Sequence, residues 1–88
     1  MTTDTLERDA MRGRRAEQLL SDELVTEIFD TLKAEYIKAW ETSPARDSDG
    51  RERLWQAVQI VGKVMSHLKS MAADGRLAKS EIDRMARG

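Results

Sequence analysis

Four arginines near the start of the chain form the densest set of side chains that could bind a ligand: Arg8, Arg12, Arg14 and Arg15. On a helix, Arg8, Arg12 and Arg15 recur at steps of four and three residues and therefore share one face. Guanidinium groups make paired hydrogen bonds to phosphate and carboxylate oxygens. The four arginines are therefore candidate anion-binding residues. Three ligands fit the pattern: a nucleic-acid backbone, a nucleotide phosphate, or an acidic helix of a neighbouring subunit.

The sequence predicts no catalytic site, no metal site and no cofactor. His67 is the only imidazole and there is no cysteine, so a nucleophile would lack the base and the orienting group that it needs. We interpret His67 as a residue at the rim of an apolar helix face. Acidic pairs such as Glu23 with Glu27 could hold a hard cation, but acids spread along a helix are more typical of a solvated surface. We therefore predict that the protein is not an enzyme.

The length of 88 residues predicts a single helical domain over residues 1–88, near the size at which one core becomes thin. Without cysteine there are no disulfides, and a single histidine leaves too few ligands for a structural zinc. Self-association or a partner surface remains as the source of stability. The net charge is −1 and no apolar run could span a membrane. We expect a cytoplasmic protein with no membrane partner.

Apolar residues at three- and four-residue steps predict helices throughout. We expect Ser21 to cap the first long helix, Pro44 to follow its end, Asp47 or Asp49 to cap the second, and Gly75 to terminate it. The predicted fold is all-α: an antiparallel helical hairpin of two long helices with short flanking N- and C-terminal helices, which oligomerises. The predicted segments are a weaker helix or arm over 1–20, a helix over 22–42, a helix over 49–74, and a short helix over 80–87.

The second long helix has more apolar positions than one neighbour can cover. Its central seam, at alternating steps of four and three, is Leu54, Val58, Val61, Met65, Leu68 and Ala72. A further set beside or behind this seam is predicted to contact another copy or a partner: Trp55, Ile60, Gly62, Val64 and Met71. We expect Trp40 to clamp the two helices together. We expect Trp55, which lies off the seam, to be exposed or to anchor another subunit.

Charge is unevenly distributed between the predicted helices. Residues 21–42 contain two lysines against six acidic residues, whereas the segments that follow are slightly basic. Opposite charges of this kind fix the register of helices more than they add stability. The acidic helix is therefore a ready partner for the arginines of a neighbouring subunit.

Four short strings resemble a group of short helical proteins of tailed phages and prophages, most of which have no assigned activity. They are RAEQLL at 15–20, EYIKAW at 35–40, SPARD at 43–47 and GRERLW at 50–55, and the resemblance covers roughly residues 15–78. It implies a protein that works in the cytoplasm of a phage-infected host cell.

Two functions follow from this resemblance. The favoured one is an oligomeric adaptor for DNA packaging or virion assembly, similar to the small terminase subunit, with a phage packaging protein or a host protein as a further partner. The alternative is an anti-defence protein that sequesters a cyclic nucleotide signal. In that case Arg8, Arg12, Arg14 and Arg15, with an aromatic residue such as Tyr36, would line a pocket between subunits. Any contact of the arginines with nucleic acid is expected to be weak.

Overall fold

The computed structural model describes residues 3–88, and the described chain consists of three α-helices. Helix α1 spans Thr3–Ser21, α2 spans Glu23–Thr42 and α3 spans Ser48–Arg87. No strand occurs in these residues. The all-α prediction is therefore confirmed. The segment predicted as a weak helix or arm is α1, except for its first two residues, which lie outside the described part.

The chain forms two compact units. We call the first the terminal unit; it contains residues 1–22 together with His67–Gly88. The second, the central unit, contains Glu23–Ser66. Helix α3 contributes its first part to the central unit and its last part to the terminal unit. The terminal unit thus joins α1 to the end of α3, a pairing that the sequence analysis did not consider.

Helix α3 corrects the predicted helix boundaries. The predicted termination at Gly75 and the separate helix over 80–87 are wrong, because α3 continues without a break to Arg87. A glycine that ends a helix adopts a left-handed conformation, and no glycine in the described chain has a positive φ. Gly75 is instead buried against α1. Its lack of a side chain serves that contact rather than a turn.

One residue separates α1 from α2. Ser21 ends α1, and Asp22, whose N–H donates to the carbonyl of Leu19 at 3.2 Å, stands in the cap position of α2. The expected cap at Ser21 is thus one residue too early. The reason is that α1 is itself a full helix and takes Ser21 into its last turn.

The link between α2 and α3 contains only residues 43–47. Thr42 ends α2 before Pro44, as the restriction on residues near proline predicts, and its hydroxyl donates to the carbonyl of Lys38 at 3.0 Å. At the other end, Asp47 accepts a hydrogen bond from the N–H of Gly50 at 3.1 Å. This is the geometry of a helix N-cap, so Asp47 rather than Asp49 caps α3.

Apart from Leu6, small residues form the core of the terminal unit. Leu6 and Ala16 of α1 and Ala72 and Ala78 of α3 are buried, and the helices meet most closely at a pair of glycines. A Cβ on Gly13 would lie 2.5 Å from the Cα of Gly75, and a Cβ on Gly75 would lie 2.5 Å from the Cα of Gly13. Real side-chain atoms do not approach so closely, so the two backbones pack directly on one another.

The central unit has little buried apolar surface. Val58, which is 7% exposed, is its one buried hydrophobic residue among those described. The other predicted seam residues of this unit, Leu54, Val61 and Met65, are only half-buried, and α2 contains no buried residue at all. Most of the stability of a helix in a protein comes from tertiary packing of its apolar face. The central unit therefore leaves much of its apolar surface uncovered.

Candidate functional site

Two tryptophans and an arginine form a cluster beside the α2–α3 link, which we call the tip cluster. The ring centroids of Trp40 and Trp55 are 6.2 Å apart and the rings are tilted by 47°, within the range of favourable aromatic pairs. The guanidinium carbon of Arg51 lies 4.5 Å from the centroid of the Trp40 ring, a cation–π distance. Trp55 thus shares the contact predicted for Trp40, and it is also 48% exposed, as predicted for a residue off the seam.

Arg51 also covers the carboxyl end of α2. Its Nη1 donates to the carbonyl of Trp40 at 3.0 Å, the carbonyl of Ser43 at 3.2 Å and the hydroxyl of Ser43 at 2.9 Å. The last carbonyls of a helix have no partner within the helix and need an outside donor. A positive charge at this end is also favoured by the helix dipole. Arg51 therefore holds the start of α3 against the end of α2.

Replacement of Arg51 by alanine is expected to lower the free energy of unfolding by about 1–2 kcal/mol, because charged hydrogen bonds and a cation–π contact are lost together. Urea unfolding followed by tryptophan emission measures this change, since Trp40 lies in the cluster itself. Arg53→Ala is the matched control, because Arg53 is exposed. Equal effects of the two substitutions would contradict the role given to Arg51.

The predicted anion-binding arginines do not converge within the terminal unit. Arg14 lines one groove of this unit with Glu17, Arg76 and Lys79, and Glu17 forms an ion pair with Arg76. Arg12 lines a different groove with Asp9, His67, Met71 and Asp74. Arg8 and Arg15 are exposed and line neither of these two grooves. Neither of these two grooves, as described over residues 3–88, is therefore lined by all four arginines.

His67 is exposed and lines the smaller of these two grooves. Two carboxylates, those of Asp9 and Asp74, line the same groove, whose volume is about 200 Å³. Within residues 3–88 no group of three or more histidine, aspartate and glutamate side chains is placed to hold a metal ion.

The predicted interface residues divide between the two units. Ile60 is 59% exposed and Val64 is 44% exposed, both in the central unit with the half-exposed Trp55. Gly62 has open space, since a Cβ there would meet nothing within 4 Å. Met71 is half-buried in the terminal unit, and its carbonyl oxygen would lie 2.9 Å from a Cβ on Gly13. Met71 thus contributes to the glycine crossing, whereas the other four lie in the central unit.

Two features were not assigned a role from the sequence. The close crossing falls at Gly13 and Gly75, and its sequence signal is small residues at steps of three: Gly13 with Ala16, and Ala72, Gly75 and Ala78. The second feature is an exposed apolar stripe at steps of four on α2, formed by Leu24, Ile28 and Leu32. From the sequence, the apolar residues of this helix indicated only its helical periodicity.

No protein-family model, no curated protein and no solved structure matches the chain. Across residues 3–88, none of the three helices has both the length and the apolar composition that a membrane span requires.

Proposed function

We propose that this chain is a non-enzymatic helical protein that self-associates through its central unit and acts by binding. In this proposal α2 and the first part of α3 form an antiparallel hairpin. The observation that supports it is the burial pattern, because α2 has no buried residue and, besides Trp55, five large apolar side chains of the central unit's two helices are 37–63% exposed. They are Leu24, Ile28 and Leu32 of α2, and Ile60 and Val64 of α3.

In the proposed hairpin, helix periodicity predicts that these five side chains share one side. Lys33 of α2 shares a groove with Gln59, Gly62 and Ser66 of α3, which identifies one side of the pair. At 100° per residue, the apolar stripes of both helices fall on the opposite side. They form a single surface, which we call the apolar face.

Covering the apolar face would contribute appreciable stability. Complete burial of one Leu, Ile or Val side chain contributes about 1.5–3 kcal/mol, and about half of each side chain remains to be covered. Exposed apolar surface that is contiguous in this way is typical of protein–protein contacts. A second copy offers the same surface, so an isologous pair could cover both faces at once.

Self-association is tested by light scattering at micromolar concentration. We expect the wild-type chain to have the mass of an oligomer, and Ile60→Asp to have a lower mass with unchanged helicity, because the new charge would be desolvated at the contact. Gln59→Asp is the matched control, since Gln59 is exposed on the side marked by Lys33. A folded wild-type monomer, or an Ile60→Asp variant of wild-type mass, would refute the proposal.

The favoured biological role is an adaptor in phage DNA packaging or virion assembly, in the cytoplasm of the host cell. The support for this role is the resemblance of the four sequence strings to short phage proteins, together with a surface suited to assembly rather than catalysis. Genes for packaging and portal proteins beside the coding sequence would support it. A neighbourhood of anti-defence genes would favour the alternative role.

The alternative, sequestration of a cyclic nucleotide, requires several copies to bring the arginines together. A thermal-shift screen with cyclic di- and trinucleotides separates the two roles. A ligand present at 100 times its dissociation constant stabilises the folded protein by about 2.7 kcal/mol, which is a large shift for a small domain. Under the favoured role we expect no shift with any of these nucleotides.

A further inference from the structure

Two exposed charge stripes of opposite sign have the same spacing. Arg8, Arg12 and Arg15 lie on α1 at steps of four and three residues. Glu23, Glu27 and Asp30 lie on α2, also at steps of four and three. All six residues are exposed. We call these sets the basic stripe and the acidic stripe.

Neither stripe has ion-pair partners within the described chain. Over residues 3–88 the ion pairs are those of Glu17 with Arg76 and Glu81 with Arg84, and neither involves a stripe residue. The basic stripe lies on one flank of α1, where Arg12 borders the groove that Asp9, His67, Met71 and Asp74 also line. Met11 and Leu19 lie next to stripe arginines at steps of three or four residues and are 49% and 45% exposed. This flank of α1 therefore combines three cations with two exposed apolar side chains.

We infer that the basic stripe of one copy docks on the acidic stripe of a second copy. Each stripe extends over eight residues, that is seven helical rises of 1.5 Å or about 10.5 Å. Three guanidinium groups can therefore face three carboxylates in one register when the helices are parallel. Charge complementarity of this kind selects the partner and its register, while Met11 and Leu19 supply the apolar contact that exposed ion pairs lack.

This contact joins different surfaces of the two copies, so it is heterologous and leaves one stripe of each kind available for a further copy. Heterologous contacts build rings when the rotation closes and filaments when it does not. The inference rests on the proposed function in taking a second copy as the partner. It uses other residues than the apolar face, so the two contacts can be tested separately.

The test uses two charge-reversed variants of the full chain. The first carries Arg12→Glu and Arg15→Glu, and the second carries Glu27→Arg and Asp30→Arg. Each variant alone places like charges opposite one another, so we expect its mass in light scattering to fall to that of the assembly held by the apolar face. An equimolar mixture restores opposite charges at every contact between unlike chains, and we expect it to recover the wild-type mass.

The controls make the outcome specific. Arg14→Glu reverses a charge on the other flank of α1 and is expected to leave the mass unchanged, and circular dichroism establishes that every variant is folded. The inference is overturned if either double variant alone keeps the wild-type mass, or if the mixture does not recover it. If Ile60→Asp lowers the mass while the charge variants do not, the proposed function stands and this inference fails.

A nucleic-acid partner for the basic stripe is a separate outcome of the same experiment. Fluorescence anisotropy with duplex DNA would then show wild-type binding that falls steeply with salt and is lost in Arg12→Glu/Arg15→Glu. Such binding, combined with a mixture that does not reassemble, would overturn the inference in favour of nucleic acid.

Discussion

Gly13→Ala is expected to destabilise the terminal unit by about 1–3 kcal/mol, the usual cost of adding atoms to a packed core. The sign is opposite to that in an ordinary helix, where alanine is more stable than glycine by up to about 1 kcal/mol. The reason is the glycine crossing. A Cβ on Gly13 would lie 2.5 Å from the Cα of Gly75 and 2.9 Å from the carbonyl oxygen of Met71. Both atoms belong to the backbone of α3, so neither can rotate away as a side chain would.

Gly62→Ala is the matched control for this prediction. Gly62 is also a mid-helix glycine, but a Cβ there would meet nothing within 4 Å. We expect this variant to gain about 0.5–1 kcal/mol from helix propensity alone. Thermal unfolding followed by circular dichroism compares the two variants. If Gly13→Ala stabilised the protein as much as Gly62→Ala, α1 and α3 could not be in backbone contact at this point.

Val58→Asp is expected to unfold the central unit. Val58 is 7% exposed and is the one buried hydrophobic residue described in that unit. The substitution removes its apolar contribution and desolvates a carboxylate, at a cost of several kcal/mol. Lys33 and Lys63 line the same groove as Val58, and because both are exposed they offset only part of this cost. A unit with so little other buried surface has no comparable contribution to offset this loss.

The measurement for Val58→Asp uses the two tryptophans of the chain, both of which belong to the central unit. We expect the emission to shift to that of solvent-exposed indole, with a partial loss of helicity. Ile60→Asp, two residues away and 59% exposed, is the control and should retain the wild-type emission. A folded Val58→Asp variant with native emission would show that Val58 does not belong to the core.

Local features of the fold could be predicted from the sequence because their causes lie within a few residues. The end of α2 before Pro44 follows from the steric restriction that proline places on its neighbour. Helical periodicity predicted helices over most of the chain for the same reason, since residues three and four apart share a face. The cap at Asp22 was missed by one residue because the length of α1 depends on its packing, and local sequence does not specify that packing.

In the candidate site, too, some features could be predicted from the sequence and others could not. Ile60 and Val64 could be identified from the sequence as surplus apolar positions, because α3 has more of them than one neighbour covers. The exposure of Leu24, Ile28 and Leu32 could not be predicted, because the sequence pattern of an apolar helix face is the same whether or not that face is covered. The grouping of the arginines also depends on tertiary contacts: Arg12 and Arg14 are close in sequence but line different grooves of the terminal unit.

The sequence by itself determined that the chain is helical, where α2 ends, and which side chains could carry charge or apolar contacts. Only the tertiary structure decided that α1 pairs with the end of α3, and that Gly75 continues a helix instead of ending it. The physical reason is the difference in sequence separation between the residues that interact. Capping and periodicity act between near neighbours, whereas the ion pair of Glu17 with Arg76 joins residues 59 positions apart. Gly13 and Gly75 are likewise distant in sequence, and their role exists only where the two backbones meet.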